Sequence, residues 1–413
     1  MKELHKLIPW VIILLLSYGA GSISCDGNDT DLASLLDFKR AISNDPMEAL
    51  SSWNTTVHFC LWEGVACSTM RPGRVVVTLS LIGRDLAGKI SPSLRNMSYL
   101  VSLNLSSNKL SGQIPPLLGN LHNLKILDLR DNTLQGNIPD ALTNCSSLIA
   151  LDLSRNLLIG EIPRKVGLLS AMSYFRLNGN GLTGTIPPGL GNITTLQNIF
   201  LHENQLHGSI PGELGKLPNM LNLLLGVNRL SGRIPEALFN ISSLQQLAMP
   251  VNMLHGPLPS GTGDFLPNLT RLLLSSNMLE GQIPDSLGNA SELQRLALGN
   301  ELTGQIPTSL EHAGGSYLST SGDVYSFGVV LLEILTGKMP TDSLFCNGLN
   351  IVNFVERNFP DQILDMVDAY LLESSQEYSR ANPKEENRVF RCLLALVKLA
   401  LSCTHRALMI DLT

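Results

Sequence analysis

The residues that come nearest to a catalytic motif are three glycines, Gly179, Gly181 and Gly184, spaced as G-x-G-x-x-G. The backbone N–H groups of such a loop hold phosphates when it follows a strand and leads into a helix or a second strand. Phosphoryl transfer by a protein kinase also needs a strand lysine, a catalytic H-R-D segment and a D-F-G aspartate for magnesium. None of these three occurs in the 413 residues, and the glycines lie inside a repeated segment without that context. We therefore expect no catalytic residues.

Other reactive side chains do not suggest a second site. The eight histidines lack metal-ligand spacing, and His202 and His207 fall on different faces of one repeat. No hydrolase triad can be assembled from the sequence. The formal net charge of −6 gives no basis for nucleic-acid binding. We expect no metal, no cofactor and no nucleic-acid partner.

The first residues predict export from the cell. Lys2 and Lys6 precede a ten-residue apolar run at 7–16, and small residues follow it. This pattern predicts a signal peptide over residues 1–24. The alternative, an uncleaved membrane anchor, is disfavoured because the run is short for a bilayer span.

Two cysteines, Cys60 and Cys67, flank Trp62 near the start of the exported chain. In an oxidising compartment such a pair predicts a disulfide. A metal site is the alternative, but it would need more ligands than the neighbouring sequence offers. Cys145 takes the place of a leucine in its repeat, so we expect it in the core.

Asn-x-Ser/Thr sequons are a further chemical feature, and all of them precede residue 312. Asn104 belongs to one of them, but it falls within a predicted strand, so we expect that site to be unused. The other glycosylation candidates are Asn28, Asn54, Asn96, Asn144, Asn192, Asn240, Asn268 and Asn289.

These residues are positioned by one repeated phrase, which reads LNLSSNKLSGQIP from Leu103. Ten copies start between Leu79 and Leu296, and the first eight starts are spaced by 24 residues. This period with L-x-L-x-x-N-x-L is the pattern of leucine-rich repeats. The predicted fold is therefore an α/β solenoid of about ten 24-residue plant-type repeats.

Each copy has a simple physical interpretation. Alternation places the leucines of L-x-L on one side of a short strand, and stacked copies bury them in one continuous core. The repeated asparagine should hydrogen-bond backbone groups where the chain leaves the strand. Glycines such as Gly112 should supply a backbone conformation closed to other residues. The asparagines are Asn108, Asn132, Asn156, Asn180, Asn204, Asn228, Asn252, Asn277 and Asn300.

The remaining strand positions point out of the concave face of the solenoid, the surface that such folds use for binding. One outward column becomes apolar from Phe200 onward, and exposed apolar residues on a rigid face suggest a partner. Chance variation on a tolerant surface is the alternative. That column is Asn104, Asp128, Asp152, Arg176, Phe200, Leu224, Ala248, Leu273 and Ala297. The candidate ligand-binding residues, called here the concave patch, are Tyr174, Arg176, Phe200, His202 and Leu224.

The segment before the repeats predicts a cap. Apolar residues three and four apart, at Leu32, Leu35, Leu36, Phe38 and Ile42, indicate an amphipathic helix. Together with the cysteine pair it would cover the open end of the solenoid. We therefore divide the chain into a signal peptide (1–24), an N-terminal cap (25–75), leucine-rich repeats (76–311) and a C-terminal segment (312–413).

Several motifs in order, D-x-x-x-L-L-x-F-K, D-P, S-W, C-x-W-x-G-V-x-C and then the L-x-G-x-I-P repeats, resemble the ectodomains of plant leucine-rich-repeat receptor kinases. The resemblance covers about residues 31–311 and points to the innate-immunity subfamily. It implies a secreted or cell-surface, glycosylated recognition protein. Its partners would be a peptide or protein ligand and, as a further candidate, a co-receptor ectodomain.

The C-terminal segment has a different character, and its string D-V-Y-S-F-G-V-V-L-L-E-I-L-T-G resembles the central helix of the protein-kinase C-lobe. We expect residues 312–413 to be a partial C-lobe remnant in which Asp323 has lost its catalytic-loop partner. The apolar side of the helix from Ser321 to Gly337 would carry Val324, Phe327, Val330, Leu331 and Ile334.

Three interpretations stay open. The chain is a receptor-like binding protein without catalysis, or an incomplete record of a plasma-membrane receptor serine/threonine kinase, or a nonfunctional relic. A membrane partner follows only if a span missing from this sequence exists in the full gene product. In the first case Leu296, Leu298 and Ile306 would lie at an uncapped end of the core.

Overall fold

The N-terminal cap is a helix and two short strands closed by a disulfide. The computed structural model describes residues 29–68, 75–305, 307, 309–310, 321–338, 351–359, 366–368 and 393–401, with backbone only at 321–328. The signal peptide and Asn28 lie outside these residues. Helix α1 (Asp29–Ala41) buries Leu35 and Phe38. The predicted disulfide between Cys60 and Cys67 is confirmed.

A single sheet of eleven strands runs along the concave side of the solenoid. Its first strand comes from the cap and is antiparallel, and the other ten are parallel, one for each predicted copy. Successive parallel strands pair in register, mostly 24 residues apart. In order, they are β2 (Val65–Cys67), β3 (Val76–Ser80), β5 (Ser102–Asn104), β7 (Ile126–Asp128), β9 (Ala150–Asp152), β11 (Tyr174–Arg176), β13 (Asn198–Phe200), β15 (Asn222–Leu224), β17 (Gln246–Ala248), β19 (Arg271–Leu273) and β21 (Arg295–Ala297).

Two further sheets form a flank of the solenoid, which the sequence reasoning missed. The x-L-x-G-x stretch forms a second short strand in the first nine copies, and in β8 and β10 its leucine is buried while its first residue is exposed. The six-stranded sheet is β1 (Ile42–Asn44), β4 (Ala87–Lys89), β6 (Lys109–Gln113), β8 (Thr133–Asn137), β10 (Leu157–Glu161) and β12 (Gly181–Thr183). The four-stranded sheet is β14 (His207–Gly208), β16 (Arg229–Arg233), β18 (Met253–Gly256) and β20 (Met278–Leu279).

The convex side consists mainly of short 3-10 helices, one in each of eight copies. Gly119 shows why a small residue stands there, because a Cβ atom would lie 2.1 Å from the Ala141 carbonyl oxygen of the next copy. A short α-helix, α2 (Thr262–Phe265), takes this place in one copy. The 3-10 helices of the repeats are Pro92–Asn96, Pro116–Asn120, Asp140–Asn144, Arg164–Leu168, Pro188–Asn192, Gly212–Lys216, Glu236–Asn240 and Asp285–Asn289, and Phe59–Leu61 lies in the cap.

The asparagine of each copy ties neighbouring coils together as predicted. The Asn156 Nδ2 donates to the carbonyl oxygens of Leu129 (3.0 Å) and Leu153 (3.1 Å), and its Oδ1 accepts the Leu134 N–H (3.0 Å). The same pattern recurs from Asn108 onward. Buried backbone groups at each turn are therefore satisfied by one side chain.

The leucines of all copies form one continuous core with the cap. Trp53 and Trp62 stack at 5.3 Å between ring centroids and join the cap to this core. Cys145 is buried as predicted, and burial raises the pKa of its thiol to about 11. Gly112 adopts a φ of +78°, which confirms the expected glycine-favouring conformation.

The C-terminal segment forms helices, among them α3 (Ser321–Thr336) and α4 (Ile351–Asn358). Of the three predicted apolar positions of α3 that can be judged, Leu331 is partly buried against the core of the C-terminal helices, but the other two are wrong. Val330 and Ile334 are exposed, whereas Leu332 and Leu335 are buried against Ile351 and Val355 of α4. The partner helix, which periodicity alone does not reveal, selects the buried side.

The stop of α3 at Gly337 is confirmed by its φ of +64°. The side chains of Val324, Phe327 and Asp323 and the whole of Ile306 lie outside the described residues. Within the ranges given above, no helix combines the length and apolar character needed to cross a membrane.

The last concave strand should exchange its amide hydrogens faster than the others. Leu296 and Leu298 are only partly buried, while Leu272 and Leu274 one copy earlier are fully buried. Local opening is easiest where few apolar contacts hold the backbone. We expect exchange over residues 295–298 to be at least about tenfold faster than over 223–225, measured by hydrogen-exchange mass spectrometry. Equal protection of both segments would contradict this.

Candidate functional site

The concave patch is held together by an arginine that lies on an aromatic ring. Tyr174 and Arg176 belong to β11, and Phe200 lies opposite Arg176 on β13. The guanidinium carbon of Arg176 is 4.3 Å from the centre of the Phe200 ring and 5.9 Å from that of Tyr174. These are cation–π distances, so the arginine has a defined position.

The other two members extend the patch in two directions. The His202 ring meets Phe200 edge-to-face with 6.3 Å between centroids. Leu224 on β15 pairs in register with Phe200. Four of the five candidate residues therefore lie on neighbouring positions of three strands, His202 follows two residues after β13, and together they form one surface.

The expected exposure of the apolar members is not observed. Phe200 and Leu224 are half-buried, because parallel strands bring neighbouring side chains within about 5 Å of one another. The exposed large apolar side chains lie instead beside the concave sheet and on the flank, among them Leu157, Ile159 and Val227.

Next to the patch, two aspartates lie in register on adjacent strands. Asp128 on β7 and Asp152 on β9 are both buried, at 3% and 5% exposure. Arg130 lies between them, with its guanidinium nitrogen 3.8 Å from one carboxylate and 3.7 Å from the other. Burial, together with the charge of Asp152, raises the pKa of Asp128 to about 6, despite the opposing effect of Arg130.

Burial also lowers the pKa of two members of the concave patch, Arg176 and His202. For Arg176 the nearby Asp152 acts against this effect. The guanidinium remains charged at any ordinary pH. Positive and negative side chains therefore lie on adjacent strands, next to the apolar members of the concave patch.

Buried polar atoms without a partner are concentrated at this place. In the described part of the chain, six buried side-chain nitrogen or oxygen atoms lack a hydrogen bond. One belongs to His58 in the cap. The other five lie on the outward side of four consecutive concave strands or just after one of them, and buried polar groups are normally paired. These five are Asp152 Oδ2, Arg176 Nε, Asn198 Nδ2, His202 Nδ1 and Asn222 Oδ1.

Asn198 and Asn222 supply a matched pair among these atoms. The Asn222 Nδ2 donates to the Asn198 Oδ1 at 2.7 Å, which leaves one amide donor and one amide acceptor without partners. The sequence reasoning did not single out these residues or the Asp128–Asp152 pair. The signal was available, because residues 24 apart in one column become neighbours in the sheet.

Two domain families match parts of the chain. The leucine rich repeat N-terminal domain matches residues 28–68, and the Leucine Rich Repeat matches residues 99–121, 123–145, 172–193 and 268–290. The chain is also similar to the receptor kinase-like protein Xa21 of Oryza sativa subsp. japonica, with 42% identity over 96 residues. The matched domains and this similarity support a leucine-rich-repeat protein that resembles the receptor kinases. The alignment covers 23% of this chain and only 9% of Xa21.

Solved structures agree with this assignment of the repeat region. A plant ice-binding protein aligns with a TM-score of 0.62 and 31% identity, over 68% of this chain and 89% of its own. The ectodomain of the Arabidopsis thaliana receptor kinase GASSHO1/SCHENGEN3, solved with CASPARIAN STRIP INTEGRITY FACTOR 2, aligns with a TM-score of 0.58 and 36% identity. That match covers 67% of this chain and 36% of the ectodomain.

Around the concave patch, the described residues contain no cluster of three or more potential metal ligands. The glycines of G-x-G-x-x-G serve the repeat. Gly179 has a φ of +68° in the turn after β11, and Gly181 begins β12. The glycines therefore do lie in a strand-turn-strand segment, which the sequence reasoning did not expect, but its two strands belong to separate sheets of the solenoid and do not pair with each other.

Beside the concave sheet, the chain has two strained valines. The turn after every parallel concave strand but β21 contains a residue of positive φ, and in two neighbouring turns this residue is Val227 (+55°) or Val251 (+56°). Most other copies place glycine, serine or a charged residue there. A β-branched side chain in this region is unfavourable, and both valines are nearly half exposed.

Replacing Val227 with asparagine should therefore stabilise the protein by about 1 kcal/mol and raise the melting temperature by about 2–4 °C. Asparagine tolerates the left-handed region, and the buried apolar area lost is small because Val227 is nearly half exposed. Val57→Asn is the matched control, because Val57 is exposed to a similar extent and has an ordinary φ. A Val227→Asn variant that melts at or below the wild-type temperature would refute the strain.

Proposed function

We propose that this chain recognises an extracellular peptide or protein ligand through the concave patch, in the manner of a receptor ectodomain. The observation that carries the proposal is the concentration of buried polar atoms without a hydrogen bond on β9, β11, β13 and β15 and just after β13. Such atoms cost free energy unless a partner satisfies them. The ectodomain similarity supports the same function, since the GASSHO1/SCHENGEN3 ectodomain was solved with a bound factor.

The positions of the predicted glycosylation sites favour ligand binding on the concave side over binding on the convex side. All seven described candidates are exposed, and five of them end 3-10 helices of the repeats: Asn96, Asn144, Asn192, Asn240 and Asn289. Asn104, by contrast, holds the buried Ser106 through its side chain within the concave sheet. Glycans at the convex positions would obstruct that side and leave the concave patch accessible.

A selection experiment tests the proposal. The full chain, secreted from plant cells, is immobilised and exposed to a displayed library of random short peptides. We expect enrichment of related peptides whose binding to the Phe200→Ala variant is about tenfold or more weaker, because aromatic anchors dominate such surfaces. Leu168→Ala, an exposed leucine of a convex 3-10 helix, is the control and should bind as the wild type does.

No enrichment over an unrelated glycoprotein would overturn the proposal. So would peptides that bind Phe200→Ala normally and Leu168→Ala poorly, because they would locate recognition on the convex side. Equal melting temperatures of the three proteins ensure that the comparison reports binding.

A second candidate function is phosphorylation by a receptor serine/threonine kinase of which this chain is an incomplete record. The names of the similar receptor kinases favour it, as does the likeness of residues 312–413 to a kinase C-lobe. In that case the product would be a plasma-membrane protein in plant defence. In either case we propose entry into the secretory pathway.

Nucleotide binding and transcript sequencing separate the two candidates. The chain as written should not bind ATP–magnesium at millimolar concentration, since it has no catalytic motifs. Sequencing the transcript across the codons for residues 306–315 then decides the gene product. An insert that encodes H-R-D and D-F-G supports the kinase, and a contiguous joint supports a binding protein without catalysis.

A further inference from the structure

We infer that Arg176 is a carboxylate-binding subsite, which takes an acidic side chain of an extended peptide ligand. The inference rests on the proposed function and specifies its ligand. It starts from the state of this guanidinium. Among the described residues, the side chain of Arg176 forms no hydrogen bond and has no carboxylate within the 4 Å of an ion pair. An arginine that is half-buried and positioned by an aromatic ring, yet lacks an anion, is arranged to receive one.

The neighbouring aspartates do not neutralise this cation. Arg130 lies within 4 Å of both Asp128 and Asp152, and Asp152 accepts two hydrogen bonds from Ser154 through its Oδ1. The two acids are therefore engaged by groups other than Arg176. The Phe200 ring beneath the guanidinium also restricts its motion, so little side-chain entropy is lost when a ligand binds.

The surroundings favour a carboxylate over a phosphate. A guanidinium can bind either anion with two parallel hydrogen bonds. Here two aspartates lie next to the subsite, and Glu203 follows His202 in the adjacent turn. These negative charges would repel a dianion more strongly than a singly charged group. A planar monoanion is therefore the better match.

The outward-facing column of the concave sheet beyond Arg176 indicates which ligand residue lies near the acidic one. Leu224 lies two strands away, about 10 Å at the usual strand spacing, and the column continues with Ala248 and Leu273. Three extended peptide residues span about the same distance. The unpaired amide donor of Asn198 and acceptor of Asn222 suit the backbone of such a segment. The inferred ligand thus has an acidic residue and an apolar residue three positions apart.

A positional-scanning library tests the subsite with the full chain. The probe is a set of short peptides, acetylated at the N-terminus and amidated at the C-terminus, so that only side chains supply carboxylates. We expect glutamate or aspartate at one position to be preferred over glutamine or asparagine by about tenfold or more. An apolar residue should be preferred three positions away. A parallel set with free C-termini distinguishes a terminal carboxylate from a side-chain one.

Three variants connect the preference to Arg176. Arg176→Gln should abolish the preference for an acid, and Arg176→Lys should retain only part of it because lysine lacks the planar pair of donors. Arg229→Gln, on the exposed flank, is the matched control and should leave the preference intact. Melting temperatures confirm that each variant is folded.

Each outcome decides something different. Acid preference in wild type and in Arg229→Gln, with loss in Arg176→Gln, supports the subsite. A preference for an acid that survives Arg176→Gln overturns the Arg176 subsite. Selective peptide binding without any preference for an acid also overturns it, but leaves recognition by the concave patch standing. Preference only for free C-termini moves the carboxylate from side chain to chain end. Absence of all selective binding contradicts the proposed function itself.

Discussion

Replacing Asn156 with alanine should lower the free energy of unfolding by about 3–5 kcal/mol, the largest effect of a single substitution considered for this protein. The side chain is 6% exposed and joins two neighbouring coils. It donates to the carbonyl oxygens of Leu129 and Leu153 and accepts the Leu134 N–H. Alanine would leave these buried backbone groups without partners, and each such group costs about 1–3 kcal/mol.

Chemical denaturation of the secreted protein measures this effect, with Asn178→Ala as the matched control. Asn178 lies two residues before Asn180, the repeated asparagine of the next copy. It is half-buried, and its side chain has no hydrogen bond among the described residues. Its loss should change stability by at most about 0.5 kcal/mol. Similar losses for both variants would contradict the role assigned to the asparagine ladder.

The second large effect concerns Asp128 and pH. Its pKa of about 6 lies above the value of an unfolded chain, so the folded protein is penalised when this carboxylate is charged. Stability from this group should therefore rise as the pH falls through 6, and it should level off near pH 4. Asp128→Asn removes the penalty, and we expect a gain of roughly 2–3 kcal/mol at neutral pH.

The dependence of stability on pH distinguishes the effect of Asp128 from a general effect of surface charge. The difference between wild type and Asp128→Asn should be largest above about pH 7 and should largely vanish near pH 4. Asp140→Asn is the control, because Asp140 is an exposed aspartate at the start of a 3-10 helix, and its profile should follow the wild type. A difference for Asp128→Asn that grows towards acid pH would show that the sign is wrong.

The repeat predicts its own structure well, because one physical solution recurs in every copy. The in-register strands, the asparagine contacts, the glycine at +78° and the buried Cys145 all follow from the period and from burial of the leucines. The cap disulfide follows from export and spacing. These are local consequences of sequence, repeated along one axis.

What the sequence did not reveal depends on contacts between elements. Whether Val330 or Leu332 is buried depends on α4, the helix that packs against α3. The sequence of α3 does not decide this, because α3 carries apolar residues on several sides. The flank strands went unnoticed because x-L-x-G-x is too short for a clear alternation. In the concave patch, the column order was readable, but the stacking of Arg176 on Phe200 requires side-chain geometry.

The position of a bound peptide on the protein is the most direct test of recognition by the concave patch. A peptide selected on the full chain is synthesised with a photoreactive group, cross-linked, and the modified residue is found by mass spectrometry. We predict modification of outward residues between β9 and β17, within 150–250. Cross-links confined to the convex 3-10 helices or to the flank sheets would contradict the central claim.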